Sequence, residues 1–309
     1  MTYSIVARDT ETGALGVAVQ SHYFAAGTVV PWAEAGVGAV ATQSVAEPAY
    51  GPRGLALMRD GVVASEALRR LVADDELEML RQVAMIDARG ELGTHTGAGC
   101  VAQAGHSQAA NASAQGNMLL RDGTWDAMTD AFAAASGDLA DRLLAALDAA
   151  EARGGDARGR QSAAILVVGG ERSDAPWQGV QLDLRVDDHP DPLGQLRRLV
   201  EFARAAGRMT GVFESGLLFA PTIDESMREA LEGALAELDA AQHTLGDNRE
   251  PTFWQAVLLA KAGRVDEARQ RLHDAAATHA EWLEFARRLP AAGLLPDDAA
   301  LLARLTGTG

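Results

Sequence analysis

The chain has 309 residues, 48% of them apolar and 23% charged, which are the proportions of a soluble globular protein with room for more than one domain. Asp and Glu number 43 against 27 Lys and Arg, and a net charge of −16 repels nucleic-acid phosphates and anionic lipid surfaces, so neither nucleic acid nor membrane is expected as a partner. The one lysine, Lys261, leaves no lysine nucleophile, Schiff base or phosphate loop before it, and the single Cys100 cannot make an internal disulfide or a cysteine-based zinc site.

The opening stretch MTYSIVARDT lacks the segments of a secretory signal, and no apolar run reaches the roughly 18 residues of a membrane span. A cytoplasmic location is expected. Tyr3 to Ala7 and Leu15 to Gln20 are short apolar runs rich in β-branched residues, and the turn-forming Asp9-Thr10-Glu11-Thr12-Gly13 between them predicts a hairpin. Gly36 to Ser44 predicts a third buried strand, and Pro52 to Arg59 and Ala64 to Ala73 predict two helices. Arg81 to Asp87, Gly93 to Thr96, Val101 to Ala104 and Ser107 to Ala114 predict an antiparallel meander. Two alanine-rich helices follow, Gly123 to Ala135 and Leu139 to Arg153, and Gly154-Gly155-Asp156 breaks the pattern. Ser162 to Val168 and Val180 to Val186 predict the last strand pair, and Asp191 to Ala206 an amphipathic helix with Leu193, Leu196, Leu199 and Val200 on one face.

Strands that come in hairpins argue against a doubly wound parallel sheet and for an α+β fold, with two sheets packed face to face and helices outside. No strand is predicted after about Gly207, which divides the chain into a core domain, residues 1–206, and a small all-α domain, residues 207–309. In the latter, Phe253 to Ala260 with Gly263, Ala268 and Leu272 predicts a tetratricopeptide-like helix hairpin with a degenerate partner at Met227 to His243. It reads either as a cap on the core or as a module that docks a protein partner.

Methionine before a small residue such as Thr2 is normally trimmed, and the product would carry a free α-amine beside a threonine hydroxyl. An α-amine titrates near 8 and can serve as base to that hydroxyl, directly or through one water. The order of elements and the opening residues resemble the N-terminal-nucleophile (Ntn) hydrolases, αββα sandwiches whose nucleophile begins a strand, as in proteasome β subunits. The stretches MTYSIVARD, GALGVAVQS, PWAEAGVGAVATQSVAEPAYGPRGL, GRQSAAILVV and LDLRVDDHPDP look like an uncharacterised bacterial family of Ntn-hydrolase-like proteins catalogued as a domain of unknown function. The likeness covers roughly residues 2 to 206. It implies amide hydrolysis as a superfamily-level expectation, with Thr2 as nucleophile, Ser21 orienting its amine, no cofactor and assembly into a homo-oligomer. The lysine that proteasome subunits place on their third strand has no counterpart here.

Other polar residues fall at predicted strand ends and turns, where they can bind a small-molecule substrate or simply the backbone: Gln43 and Ser44, Gln115-Gly116-Asn117, and Arg160-Gln161-Ser162. Gly51-Pro52-Arg53-Gly54 ahead of a helix could hold a carboxylate through its amides and Arg53. Asp183, Arg185 and Asp187 share one sheet face and predict an ion-pair network, and Arg185 and Asp187 are also candidate substrate-binding residues. Asp187, Asp188 and His189 are possible metal ligands, but neighbours on a strand point oppositely, and no metal is expected. His22 and Tyr23 could border the N-terminal site, and Cys100 reads as a small buried hydrophobe.

Overall fold

In the computed structural model, which describes residues 2–307, the chain enters at once a strand, β1 (Thr2–Arg8), and returns through a tight turn into β2 (Leu15–Ser21). Asp9 closes that turn: its Oδ1 accepts from the amide of Thr12 at 2.8 Å and from that of Glu11 at 3.0 Å. The short β3 (Pro31–Glu34) and β4 (Gly38–Ser44) lead to helices α1 (Tyr50–Arg59) and α2 (Ala64–Ala73). Next come β5 (Arg81–Asp87), β6 (Leu92–Thr96), β7 (Gly105–Ala109) and β8 (Ala112–Asn117). Helices α3 (Thr124–Ala134) and α4 (Leu139–Ala152) follow, then β9 (Ser162–Val168), β10 (Val180–Val186) and α5 (Pro192–Glu214).

The strands form two antiparallel sheets, one of six strands in the order β10-β9-β2-β1-β8-β7 and one of four in the order β3-β4-β5-β6. Alternation along each strand divides its side chains between two faces. Tyr3, Ile5, Ala18 and Ile165 pack against Phe132, Leu143, Leu147 and Leu196 of the helices on one side of the larger sheet. Val6, Val17 and Val19 meet Ala39, Ala41, Ala84 and Ile86 of the smaller sheet. The opposite face of that smaller sheet carries Val40, Val83 and Met85, covered by Leu55, Met58, Leu68 and Leu71 of α1 and α2. Helices therefore cover both outer faces of two stacked sheets.

Three local predictions are corrected. The expected strand at Val101 to Ala104 is irregular, and Ser107 to Ala114 is not one strand but the hairpin β7–β8, turned at Asn111 with φ 61°. Asparagine tolerates that left-handed backbone better than most residues, which makes it a turn residue inside an apparent run. The third change is Gly51-Pro52-Arg53-Gly54, which lies within α1. Its Gly51 and Arg53 amides already donate to Pro48 O at 3.0 Å and Ala49 O at 3.1 Å, so they hold no carboxylate. Gly51 serves packing instead, since a Cβ there would come within 2.2 Å of the Trp32 ring.

Ahead of β5, Asp75 accepts from Arg81 Nε at 2.8 Å and from the Tyr50 hydroxyl at 3.1 Å, and Arg81 also donates to Val45 O at 2.7 Å. The Arg81 hydrogen bond holds the Asp75 carboxyl below the usual range. A lowered folded-state pKa contributes stability at pH values above the unfolded value of about 4, and that contribution is lost as pH falls through the folded value. Asp75→Asn is expected to cost about 3 kcal/mol near neutral pH, because Arg81 remains buried without its counter-charge. Urea unfolding of the variant at pH 7 and at low pH checks this, the difference from wild type shrinking in acid.

The chain divides into two compact units, the first ending at Val200 and the second beginning at Glu201. The helix expected to stop at Ala206 continues through Gly207 and Gly211, whose Cα positions face open space. The second unit is helical: α6 (Arg228–Leu245), α7 (Glu250–Lys261), α8 (Val265–Ala276), α9 (Glu281–Arg288) and α10 (Ala299–Thr306). Helix α7 is buried on every side from Pro251 to Lys261. Phe253 stacks on Trp282 with centroids 4.7 Å apart and meets Trp254 edge-on at 5.2 Å. Phe253→Ala is expected to cost about 3–5 kcal/mol, measurable by chemical denaturation of the full chain. Lys261 is 3% exposed, its Nζ donates to Leu218 O, and burial lowers its pKa. Among the described residues no helix is long and apolar enough to cross a membrane.

Candidate functional site

Along the face between the sheets, side chains change from apolar to polar toward one end of the sandwich. β1 reads Val6, Ser4, Thr2; β2 reads Val17, Val19, Ser21; β4 reads Ala39, Ala41, Gln43; β5 reads Ile86, Ala84, Gln82. β8 adds Gln115 and Asn117, and Asn117 lies opposite Thr2 in the β1–β8 register. All of these polar side chains are buried, so they must satisfy one another. Ser4 donates to Gln43 Oε1 at 2.8 Å, and Gln43 Nε2 donates to Thr2 O at 3.1 Å and to Gln82 Oε1 at 2.8 Å. Gln82 Oε1 also accepts from Asn117 Nδ2 at 3.0 Å, while Gln82 Nε2 reaches Gly116 O at 2.8 Å and Gly105 O at 3.0 Å. Two acceptors beside this network, Gln115 Oε1 and Asn117 Oδ1, are buried without a hydrogen-bond partner.

Thr2 ends the network and is 8% exposed. Its hydroxyl lies 2.9 Å from Ser21 Oγ, its cross-strand neighbour. It opens onto a cleft of about 390 Å³ whose walls include Tyr23, Val29, Val30, Gln43, Ser44, Pro48, Met118 and Arg158. Ser162 pins the Tyr23 side of this cleft by donating to Tyr23 O at 2.6 Å and accepting from the Ala26 amide at 3.1 Å. Four non-glycine residues among those described have positive φ: Ala25 (52°), Ser44 (71°), Asn111 (61°) and Met118 (54°). Asn111 is the β7–β8 turn, and the others line the cleft or precede a lining residue. Left-handed backbone at such residues costs free energy and gathers at sites where the chain is held for function.

Arg158 is the one charged side chain among the described residues that line the cleft. It stands in the loop between α4 and β9, whose Gly154, Gly155 and Gly159 have φ of 102°, 55° and 114°, a path that side-chain-bearing residues rarely follow. Buried Asp156 organises this loop, accepting from the amides of Arg158 and His22, each at 2.9 Å. On the far side of β1, the Tyr3 hydroxyl donates to Glu151 at 2.6 Å, and Glu151 pairs with Arg160 at 2.6 Å. Burial, aided by the Glu151 charge, raises the Tyr3 pKa well above its usual value, so Tyr3 remains a donor.

Of the residues singled out from sequence, Thr2, Ser21, Gln43, Ser44, Asn117 and Tyr23 come together here. Arg53 does not: it pairs with Asp74 at 3.4 Å and lines a separate cleft with Tyr50 and Asp75. Arg185 on the edge strand β10 pairs at 3.6 Å with Asp187 just beyond its end, and neither lines the Thr2 cleft. Asp187 O instead accepts from the Ala25 amide at 3.0 Å. Asp188 meets Gln161 at 3.1 Å and His189 Nδ1 meets the Asp191 amide at 2.9 Å, so the candidate ligands diverge. No group of three or more His, Cys, Asp or Glu among the described residues could hold a metal ion. His22 lies beside Arg160 O, Cys100 Sγ contacts Arg81 O at 3.3 Å and is only partly buried, and Met1 lies outside the described residues. Sequence reasoning passed over Gln82, read only as part of a strand, and Arg158, whose signal was the glycine-flanked Asp156-Ala157-Arg158.

Fold and site together define an α+β protein of two stacked antiparallel sheets whose first strand presents a hydroxyl to a cleft at one end of the stack. The family model that matches residues 2–196 is described as a family of unknown function, DUF1028, and the chain belongs to that family. A crystal structure of a protein from Silicibacter pomeroyi, assigned to the same family, is 35% identical, with a TM-score of 0.58 over 64% of this chain and 84% of that one. No curated protein matches the chain.

Proposed function

We propose that the chain is an N-terminal-nucleophile amidohydrolase with an Ntn-type αββα core, acting on a small amide or carbamoyl-like substrate through Thr2 once Met1 is removed. The observation that carries this reading is the Thr2 hydroxyl, 2.9 Å from Ser21 Oγ at the base of a cleft large enough for a small molecule. In the proposed reaction the α-amine of Thr2 takes the hydroxyl proton as Oγ1 attacks the substrate carbonyl. The protonated amine then gives that proton to the departing nitrogen, leaving an ester on Thr2 that water hydrolyses by the same base. Ser21 orients the hydroxyl and amine, and the unpartnered Asn117 Oδ1 offers the amine an acceptor. Gln43 and Ser44, which also line the cleft, are the proposed contacts to the substrate.

The 12-residue helices α7 and α8, joined by a turn with Gly263 at φ 75°, support reading the second unit as a tetratricopeptide-like docking module. The competing reading, an Ntn-type fold that binds a ligand without catalysis, differs in the role of the α-amine. Because Lys261 is the only other amine and is buried, an acylating reagent at neutral pH modifies the α-amine selectively. One added acetyl group is expected to abolish hydrolysis of a panel of N-acyl and N-carbamoyl compounds. Full hydrolysis by the singly acetylated chain would exclude the proposed base.

A further inference from the structure

We infer that the substrate of the Thr2 cleft carries a carboxylate and that Arg158 is the residue that reads it, so the substrate class is an N-acyl- or N-carbamoyl-amino acid rather than a neutral amide. This rests on reading that cleft as the substrate site. In a chain of net charge −16, the described residues lining the cleft include no acid and one cation. Val29, Val30, Pro48 and Met118 make much of the wall apolar, which strengthens the attraction of a fixed charge for an opposite one.

The guanidinium is set for this task. Its side chain is 40% exposed, and Asp156, fully buried, lies 3.3 Å from it. Both oxygens of Asp156 already accept backbone amides, from Arg158 and from His22, each at 2.9 Å. The guanidinium also donates to both of these oxygens, Nε at 3.4 Å and an Nη at 3.3 Å, and this two-point pairing with a buried carboxylate fixes the orientation of Arg158. The planar fork matches the geometry of a carboxylate better than a point charge does. A cleft of about 390 Å³ that contains both Thr2 and Arg158 restricts the scissile carbonyl and the carboxylate to one molecule of amino-acid size.

The test is binding without turnover. Full-length Thr2→Ala protein is titrated with N-acetyl and N-carbamoyl derivatives of alanine and valine, each as free acid and as carboxamide, by calorimetry or ligand-observed NMR. The acids are expected to bind and the carboxamides to bind more weakly. Adding Arg158→Gln is expected to weaken the acids roughly 10- to 100-fold and abolish the preference, and Arg158→Lys to restore part of it. Equal binding of acid and carboxamide, no binding of any acid at millimolar concentration, or an unchanged preference in a folded Arg158→Gln or Arg158→Lys protein would overturn the inference. Hydrolysis by the processed wild-type chain is scored separately. Its absence would defeat the catalytic reading and leave the carboxylate preference standing, and turnover of neutral amides alone would do the reverse.

Discussion

Thr2→Ala is expected to lower hydrolysis by roughly a thousandfold or more while leaving the protein folded. The substitution removes the attacking oxygen and one hydrogen bond, that to Ser21 at 2.9 Å, worth about 1 kcal/mol of stability. Thr2→Ser keeps both the oxygen and the α-amine and is expected to retain measurable turnover. Wild-type kcat/KM should rise with pH through the amine's titration near 8 and then level off, because only the neutral amine accepts the hydroxyl proton. Steady-state kinetics across pH, paired with thermal unfolding of each variant, separates loss of chemistry from loss of fold. Undiminished hydrolysis by Thr2→Ala would transfer catalysis to some other group.

Gln82→Ala is expected to be the most destabilising single change near the site, at about 4 kcal/mol. Gln82 is fully buried, its Oε1 accepts from Gln43 at 2.8 Å and Asn117 at 3.0 Å, and its Nε2 serves Gly116 O at 2.8 Å and Gly105 O at 3.0 Å. Truncation leaves donors and carbonyls buried without partners and opens a void between the sheets. Gln43 also donates to Thr2 O, so the loss extends to the backbone of the proposed nucleophile. Equilibrium urea unfolding measures the effect, and a loss under about 1 kcal/mol would show that the network relaxes around the gap.

Much of the core was legible because alternation survives in the sequence. β9 and β10 fall at Ser162–Val168 and Val180–Val186, where the apolar runs lie. The edge strand β3, Pro31–Glu34, escaped because Pro-Trp-Ala-Glu is short and only partly buried. The β7–β8 turn escaped because one left-handed asparagine suffices to reverse the chain.

The residues that gather at the candidate cleft were legible where polar side chains and strand ends coincide, as at Thr2, Ser21 and Gln43. Gln82 and Arg158 were not, for different reasons. The role of Gln82 depends on which face of β5 meets β8 of the larger sheet, which only the stacking of two sheets decides. Arg158 lines the same cleft as Thr2 because β9 pairs with β2, and β2 with β1, a proximity invisible across the intervening sequence. Arg53 and Arg185 had suitable chemistry but stand on α1 and on the edge strand, away from the cleft.

The central claim is that a trimmed Thr2 does the chemistry. Intact-mass spectrometry of a hydrolytically active preparation, before and after treatment with a β-lactone electrophile, tests it most directly. The expected result is a chain that begins at Thr2 and gains one adduct, mapped to residue 2 and missing in Thr2→Ala. An active preparation in which every chain retains Met1 would contradict it.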